Sequence, residues 1–514
     1  MTDYRLGIDV GGTNTDAVIM NTDDELLAKT KTPTTEDITT GILHALDDVL
    51  DESGITVDAL GYVMLGTTHA TNAITERRGL NEVGVIRIGA PATQSIRPLL
   101  EWPDDLADAI GNNVSILDGG HEFDGRTLND LDEAQVREQV REFAGVDAFA
   151  VTSVFSPVRE DHEARVAEII RDEVGDEIPI SLSNEIGSVG LLERENATTL
   201  NAALTSVADE AASAFVEAMD ERGIDANLYF GQNDGTLMSV EYAIRYPIFT
   251  VASGPSNSVR GAAYLSNVQN GIIVDVGGTT TDVGAVSDGF PRESSVAVEI
   301  GDVKTNFRMP DIIAIGIGGG SLVSTDGEVM VGPQSVGYKL TDEALCFGGE
   351  TLTATDLEVA AGTIDIGSVT PDIDEETVLA AREFVRGRVE RAVDRIKTSA
   401  EQVPVVIVGG GSILVPNDLE GASEVHKPDH YEVANAVGVA IAQVSGEVDR
   451  IYSLDEMTRD EAIQNAKDEA IENALAAGAD TESIEIVDIE EVPLSYLPGN
   501  AVRIKVKAAG ALDH

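Results

Sequence analysis

Short apolar segments alternate along the chain with segments of helical spacing. Leu6–Val10 and Asp16–Met20 are two apolar segments joined by a Gly-Gly turn, which predicts a β-hairpin. Further on, Val83–Ile88 has the composition of a buried strand, and Asp161–Val174 has the spacing of an amphipathic helix. This alternation predicts an α/β fold whose sheets are covered on both faces.

The beginning of the chain recurs about half its length later. The segments 9–16 and 275–282 share the pattern Asp-Val-Gly-Gly-Thr-x-Thr-Asp and differ only at Asn14 and Thr280. This spacing is far longer than the period of a solenoid repeat. We therefore expect two related α/β halves facing one another, followed by a small C-terminal α+β region. The expected boundaries are 1–265, 266–449 and 450–514.

The net charge of the chain excludes some classes of binding partner. The 514 residues include 34 Lys+Arg and 91 Asp+Glu, a net charge of −57, which argues against binding nucleic acid or an anionic membrane. The acidic residues are spread along the whole chain and only nine residues are Lys, a pattern typical of adaptation to molar salt.

The single cysteine excludes an intramolecular disulfide and Cys-rich metal sites. With no targeting or membrane-spanning segment, we expect a cytoplasmic protein.

The repeated Asp-Val-Gly-Gly-Thr-x-Thr-Asp loops carry the strongest chemical signal. Paired glycines let the backbone approach a ligand closely, and backbone N–H groups with Thr hydroxyls can hold phosphate oxygens. The Asp at each end suits hydrated Mg²⁺ or the orientation of a nucleophile. An ordinary glycine hairpin is the alternative for a single loop, and the repetition favours the functional interpretation. Neither loop fits a Walker A motif or the dinucleotide fingerprint.

Two further glycine clusters each follow an apolar strand. They occupy the segments Ala314–Ser321 and Val405–Ile413. The second has the context of a strand edge on which a base or ribose could lie. A close crossing of backbones is the alternative for both clusters.

Together these segments resemble the hydantoinase/oxoprolinase family, A-subunit type, within the acetate/sugar kinase, heat-shock ATPase and actin superfamily. Supporting segments are Leu65–Arg77, Leu192–Ala202, Ala252–Ser256 and Val331–Ser335. The resemblance implies a duplicated actin-like ATPase core with a cleft between its halves and Mg-ATP held by the paired loops. It implies ATP-dependent opening of a cyclic amide such as a hydantoin or 5-oxoproline, through a phosphorylated amide.

The resemblance also implies roles for individual residues. Asp9 and Asp275 are expected in the Mg²⁺ shell through water, and Asp16 and Asp282 as catalytic or water-orienting carboxylates whose roles stay unseparated. The residues expected to bind ATP are Gly11, Gly12, Thr13, Thr15, Gly277, Gly278, Thr279, Thr281, Gly318, Gly319, Gly409, Gly410 and Gly411.

His69 has two interpretations. It follows an apolar strand within a run of polar residues, so it could carry a proton during catalysis, or it could pack at the start of a helix that Thr67 or Thr68 caps.

More than one partner and more than one function fit the resemblance. A separate B-type subunit and a homo- or hetero-oligomer are expected. A kinase of the sugar kinase type and an ATP-binding activator of another protein are the competing functions. Ser256–Ser258 stand where the family usually has small Ala or Gly residues.

Overall fold

Two copies of one strand pattern organise the molecule. The computed structural model describes residues 4–35, 38–187, 189–294, 298–307, 309–325, 327–455, 457–494 and 500–512. Within these ranges no helix is both long enough and apolar enough to cross a bilayer.

The first elements build one side of the first sheet. They are β1 (Tyr4–Val10), β2 (Asn14–Met20), β3 (Leu26–Pro33), α1 (Ile38–Ser53), β4 (Leu60–Thr67) and α2 (His69–Glu76). Strands β1 and β2 form the predicted antiparallel hairpin, and β4 runs parallel to β1. Helix α1 buries Ile42, Ala45, Leu46 and Val49, the face that its spacing predicts.

A separate parallel sheet, not expected from the sequence, is inserted next. Its elements are β5 (Val83–Ala90), α3 (Asp104–Ala109), β6 (Asn113–Asp118), α4 (Glu133–Glu142), β7 (Ala148–Ser153), α5 (Asp161–Val174), β8 (Ile180–Leu182) and α6 (Ser183–Ile186). The strand order is β6-β5-β7-β8, with every pair parallel.

The chain then returns to the first sheet. The elements are α7 (Leu191–Arg222), β9 (Asn227–Gly231), β10 (Leu237–Ser239), α8 (Val240–Arg245) and α9 (Ser253–Ser266). Strand β9 lies parallel to β4. The N-terminal half of α7 packs in the core beside the inserted sheet, and its C-terminal half packs in the core of the first sheet.

The second half follows. Its elements are β11 (Gly271–Val276), β12 (Thr281–Ser287), β13 (Phe290–Pro291), β14 (Val298–Ile300), β15 (Val303–Thr305), β16 (Ile312–Ile315), β17 (Ser321–Ser324), β18 (Met330–Ser335), α10 (Leu340–Glu343), α11 (Ala354–Ala360), α12 (Glu375–Ile396), β19 (Val403–Val408) and β20 (Ala422–His426). Cys346 is buried among apolar side chains of this half.

The C-terminal region completes the first sheet. Its elements are α13 (Ala434–Ala440), β21 (Val444–Tyr452), α14 (Arg459–Ala476), β22 (Glu485–Pro493) and β23 (Val502–Gly510). The strands extend that sheet in the order β22-β23-β21-β10-β9. The region is α+β as predicted, but a boundary at 449 cuts through β21, and the strands continue the first half rather than forming an appendage.

The 3₁₀ turns are short. They cover Val57–Ala59, Pro247–Thr250, Gly337–Lys339, Leu345–Phe347, Ser412–Leu414 and Tyr431–Val433.

The two halves share strand order and direction. The first sheet contains β3-β2-β1-β4-β9, and the second contains β16-β12-β11-β19-β20. In both sheets the two hairpin strands are antiparallel, and the second hairpin strand is also antiparallel to the strand outside it. The first hairpin strand is parallel to the two strands on its other side. The sequence repeat therefore marks a repeat of structure.

Helices α9 and α13 lie between the two sheets and cross at glycines. Helix α9 packs on β11, β12 and β19, whereas α13 packs on β1 and β2. At the crossing, a Cβ on Gly261 would lie 1.7 Å from the Ala434 carbonyl oxygen, and one on Gly438 would lie 1.8 Å from that of Asn257. The two backbones meet so closely that only glycine fits.

We predict that Gly438→Ala destabilises the protein by about 3 kcal/mol or more, because the added methyl must push the two helices apart. Chemical denaturation in molar KCl measures the change. The control is Gly387→Ala in α12, where the new Cβ would meet only the Arg391 guanidinium at 3.5 Å. There we expect a gain of up to about 1 kcal/mol from helix propensity. Equal effects at the two sites would contradict the close crossing.

Candidate functional site

The repeated loops form two equivalent hairpin turns. The Gly11 N–H donates to the Asn14 carbonyl at 3.1 Å, and the Gly277 N–H donates to the Thr280 carbonyl at 2.9 Å. The strand register sets Asp9 opposite Asp16 in the first hairpin and Asp275 opposite Asp282 in the second. Each loop therefore presents a pair of carboxylates at its base.

The two turns meet. A Cβ on Gly278 would lie 3.1 Å from Thr13 Oγ1, so the tip of the second turn touches the first. Gly12 and Thr279 are exposed at the two tips. The fold thus brings together residues that the sequence places in separate halves.

Asp9 is a buried carboxylate held by amides. It accepts hydrogen bonds from Asn435 Nδ2 at 2.7 Å and Asn257 Nδ2 at 3.5 Å. Burial, followed by repulsion from Asp16, raises the pKa of Asp9 to about 6. The parallel partner of Asp9 on β4 is Gly66, whose missing side chain leaves room for the carboxylate.

Lys31 belongs to the site, although no motif in the sequence predicts it. Its Nζ donates to both oxygens of Asp16, at 2.6 and 2.8 Å. It also attracts Asp275 and lies near Gly410. The available signal was the strand itself, because β3 pairs with β2 and sets Lys31 directly opposite Asp16.

Asp275 and Asp282 are half-buried and have different partners. Ser258 Oγ donates to Asp275 at 2.5 Å, and burial still raises the pKa of Asp275. Asp282 receives no hydrogen bond from any described residue. Burial and then the charge of Asp275 raise the pKa of Asp282 to about 7.

Helix α9 links the two loops through consecutive side chains. Asn257 reaches Asp9 of the first half, and Ser258 reaches Asp275 of the second. These polar residues stand where small ones were expected, and they contact the two carboxylates predicted to lie in the metal shell.

Gly318 and Gly319 are buried behind the second loop. The N–H groups of Gly319 and Gly320 donate to the carbonyls of Gly277 and Gly278, at 3.0 and 2.7 Å. A Cβ on Gly318 would lie 2.6 Å from the backbone of Gly278. This is the close backbone crossing named as their alternative, and contact with a ligand stays a prediction.

Thr15 and Thr281 are not at the open face of the loops. Both are fully buried. The Thr281 hydroxyl donates to the Ile317 carbonyl at 2.7 Å, and that of Thr15 lies 3.3 Å from Thr34 Oγ1. Because strand residues alternate between faces, these threonines point away from the side that Asp16 and Asp282 share. The expected phosphate contact of their hydroxyls does not fit this arrangement.

Gly409–Gly411 lie against the base of the second hairpin. The Gly411 N–H donates to the Val276 carbonyl at 2.8 Å, and Gly409, at φ +84°, leaves space for the Asp275 carboxylate. Gly410 is exposed and faces Lys31. The structure therefore brings this cluster to the site, with Gly410 open to a ligand.

His69 begins α2 at the carboxyl end of β4. Its Nδ1 lies 2.6 Å from Thr67 Oγ1, and burial lowers the pKa of the imidazole. Strand β4 lies beside β1, so His69 is close to the first loop in the sheet. The His69 N–H donates to Thr67 Oγ1 at 3.2 Å. Packing at the start of a helix capped by Thr67 and a proton-carrying role both fit this place.

Family comparisons agree with the sequence resemblance. Residues 5–174 match the hydantoinase/oxoprolinase N-terminal region, and residues 194–405 match the hydantoinase/oxoprolinase family model.

Relatives include subunits of several enzymes. The chain is 28% identical over 399 residues to the acetophenone carboxylase gamma subunit of Aromatoleum aromaticum, covering 70% of this chain and 53% of the relative. It is 24% identical over 441 residues to the caprolactamase subunit alpha of Pseudomonas jessenii, covering 79% and 60%. It is 27% identical over 350 residues to 5-oxoprolinase 1 of Arabidopsis thaliana, covering 61% and 27%. The chain thus spans little more than half the length of the first two.

Solved structures share the fold. An ATP-dependent caprolactamase from Pseudomonas jessenii superposes with a TM-score of 0.78 at 19% identity, covering 99% of this chain and 88% of that one. A nucleotide-free acetone carboxylase superposes with a TM-score of 0.70 at 18% identity, covering 100% and 88%.

We predict that Asp282→Asn stabilises the ligand-free protein at about pH 8 by on the order of 2 kcal/mol. The folded pKa of Asp282, about 7, lies above its ordinary value of 3.8, so the contribution of this carboxyl to stability is complete below about pH 4 and is lost as the pH rises to about 7. Asparagine removes that loss, and the gain should vanish near pH 4. Denaturation at both pH values tests this, with exposed Asp365→Asn as control. A gain of the same size at both pH values would contradict the assignment.

Proposed function

The chain belongs to the hydantoinase/oxoprolinase family, and on that premise we propose that it is an ATP-dependent enzyme subunit that opens a cyclic amide. The substrate class is a hydantoin, 5-oxoproline or a related lactam. The reaction proceeds through phosphorylation of the amide oxygen, because an amide carbonyl alone is a poor electrophile for water. Water adds to the carbon of the phosphorylated amide, and the C–N bond then breaks as the ring nitrogen leaves with a proton. The acyl phosphate that remains is hydrolysed to a carboxylate and phosphate.

One observation carries the proposal: two equivalent glycine turns face each other above four carboxylates and one lysine. We propose that these turns are the nucleotide site of a duplicated actin-like core, in a cleft between its two halves. The backbone N–H groups of Gly12, Thr13, Gly278 and Thr279 donate to no described residue, and they lie at the turn tips. Donors of this kind suit phosphate oxygens.

The carboxylates fit a divalent cation. Burial leaves Asp9, Asp16, Asp275 and Asp282 with raised pKa values, although Lys31 is close by. Negative charge in such excess favours a bound cation. We assign Asp9 and Asp275 to Mg²⁺ through water. ATP with Mg²⁺ would supply the phosphoryl group and neutralise its charge.

Lys31 and Asp282 take different roles in this proposal. Lys31 lies between Asp16 and Asp275, where its ammonium group can offset charge on a transferred phosphoryl group. Asp282 has no described hydrogen-bond donor and a pKa of about 7, raised by burial, which suits a general base at neutral pH. Asp16 is held by Lys31 and is assigned to positioning that lysine.

Carboxylation is the second candidate. The relatives include the acetone carboxylase beta subunit of Xanthobacter autotrophicus as well as the acetophenone carboxylase subunit. Activation of a carbonyl oxygen by phosphorylation serves both chemistries. Several relatives are named as subunits, so we also propose a separate partner chain that completes the reaction.

The test is Mg-ATP binding by calorimetry in molar KCl, followed by an ATPase screen. Stimulation by hydantoin, 5-oxoproline or caprolactam supports amide opening, and stimulation by ketones with bicarbonate supports carboxylation. The screen is run on the chain alone and with a candidate partner chain. Failure of the folded protein to bind Mg-ATP would overturn both.

We predict that Asp275→Asn and Lys31→Met each lower Mg-dependent ATP turnover by about 100-fold or more, because each removes a charge that acts on the phosphoryl group. Exposed Lys339→Met is the matched control and should keep wild-type turnover. Circular dichroism checks folding. Turnover within about threefold of wild type in either variant would show that its assignment is wrong.

A further inference from the structure

The inserted sheet has a cluster of its own at the carboxyl ends of its strands. His121 follows β6, and Asp161 and His162 begin α5 after β7. Along the chain, β6 is added on one side of β5, whereas β7 and then β8 are added on the other side. In open parallel sheets, ligands bind outside the carboxyl ends of the strands at the point where the order changes side. The residues lie on a different sheet from the facing turns.

His121 is driven into the interior by the backbone before it. A Cβ on Gly119 would lie 2.4 Å from Ile88 Cγ2, so the two glycines let the loop press against β5. The His121 N–H donates to the Val154 carbonyl at 3.1 Å, which fixes the loop to the end of β7. The imidazole is completely buried; Nδ1 has no hydrogen-bond partner among the described residues, and Nε2 has only the Asp161 carboxylate beside it, outside hydrogen-bond geometry. A buried polar ring without such bonds is costly unless a ligand completes it.

Two further donors converge on this ring. Asp161 Oδ1 lies 2.9 Å from His121 Nε2, and the His162 ring centre is 4.3 Å from that of His121. One donor atom from each of the three residues lies within 4.8 Å of the others. Arg159 binds the second oxygen of Asp161 at 2.7 Å, which leaves Oδ1 for the cluster.

We propose that His121, Asp161 and His162 form a binding site for a divalent transition-metal ion of the zinc class. Two imidazoles and one carboxylate are the donors that zinc accepts, whereas Mg²⁺ and Ca²⁺ prefer oxygen. Three protein ligands would leave a fourth position for water. A bound ion would tie the loop after β6 to the first turn of α5.

The hydrogen bond that His162 makes gives binding a spectroscopic signature. The Gly120 N–H donates to Nδ1 of His162 at 2.9 Å. A cation held by that nitrogen would displace the N–H, and so binding should change the His162 ring environment seen by nuclear magnetic resonance.

The test uses the full chain, stripped of metal by a chelator and kept in molar KCl with excess MgCl₂. Mg²⁺ saturates the carboxylates of the facing turns and the acidic surface. ZnCl₂ is titrated by calorimetry and CoCl₂ by visible absorption. We expect about one equivalent of Zn²⁺ bound with a dissociation constant of about 1 μM or tighter, and a higher melting temperature.

Variants separate this site from other histidines and carboxylates. His121→Gln, His162→Gln and Asp161→Asn should each weaken Zn²⁺ binding at least about tenfold. Exposed His44→Gln and, at the facing turns, Asp9→Asn should bind Zn²⁺ like wild type. Asp161 is exposed, so its variant keeps the test valid if a buried substitution unfolds the protein. No binding by wild type, or unchanged binding by folded Asp161→Asn and His162→Gln, would overturn the proposal.

Discussion

The site depends on how the structure accommodates four aspartates that a repeated hairpin brings together. Each hairpin pairs two aspartates across its strands, and the two halves face each other, so four carboxylates share one region around Lys31. The surrounding structure offsets part of that repulsion. Two asparagines donate to Asp9 and a serine donates to Asp275, from helices that belong to neither hairpin. Removing solvent from these groups makes every such donor more important, because an unpaired charge is costly in a poorly hydrated site.

The repeat in sequence became a repeat in structure, yet the two copies are not chemically alike. Lys31 on β3 neutralises Asp16, but Asp282, at the equivalent place, receives no hydrogen bond from a described residue. The difference arises outside the repeated segments, in the neighbouring strands. Two carboxylates that the sequence makes identical therefore have different surroundings: Asp16 pairs with a lysine, whereas the described residues give Asp282 no such partner.

How much the sequence predicted depended on how local each signal was. The two hairpins and α5 follow from short-range pattern and were predicted closely. Lys31 was missed because its role comes from register across β2 and β3, and Thr15 and Thr281 were misjudged because alternation turns their hydroxyls inward. The inserted sheet and the return of β21 and β23 to the first sheet depend on long-range pairing, which local patterns do not encode.

The close crossing of α9 and α13 also determines how the two halves can move. Helix α9 leads from the first sheet to the second, and α13 leads back, so both covalent connections pass through one point of backbone contact. In the chain, the second half is an insertion between α9 and α13. Two helices in such close contact resist translation of one sheet past the other more than they resist rotation about the point of contact. Any rotation of the two halves about this crossing would therefore change the separation between the tips of the facing turns.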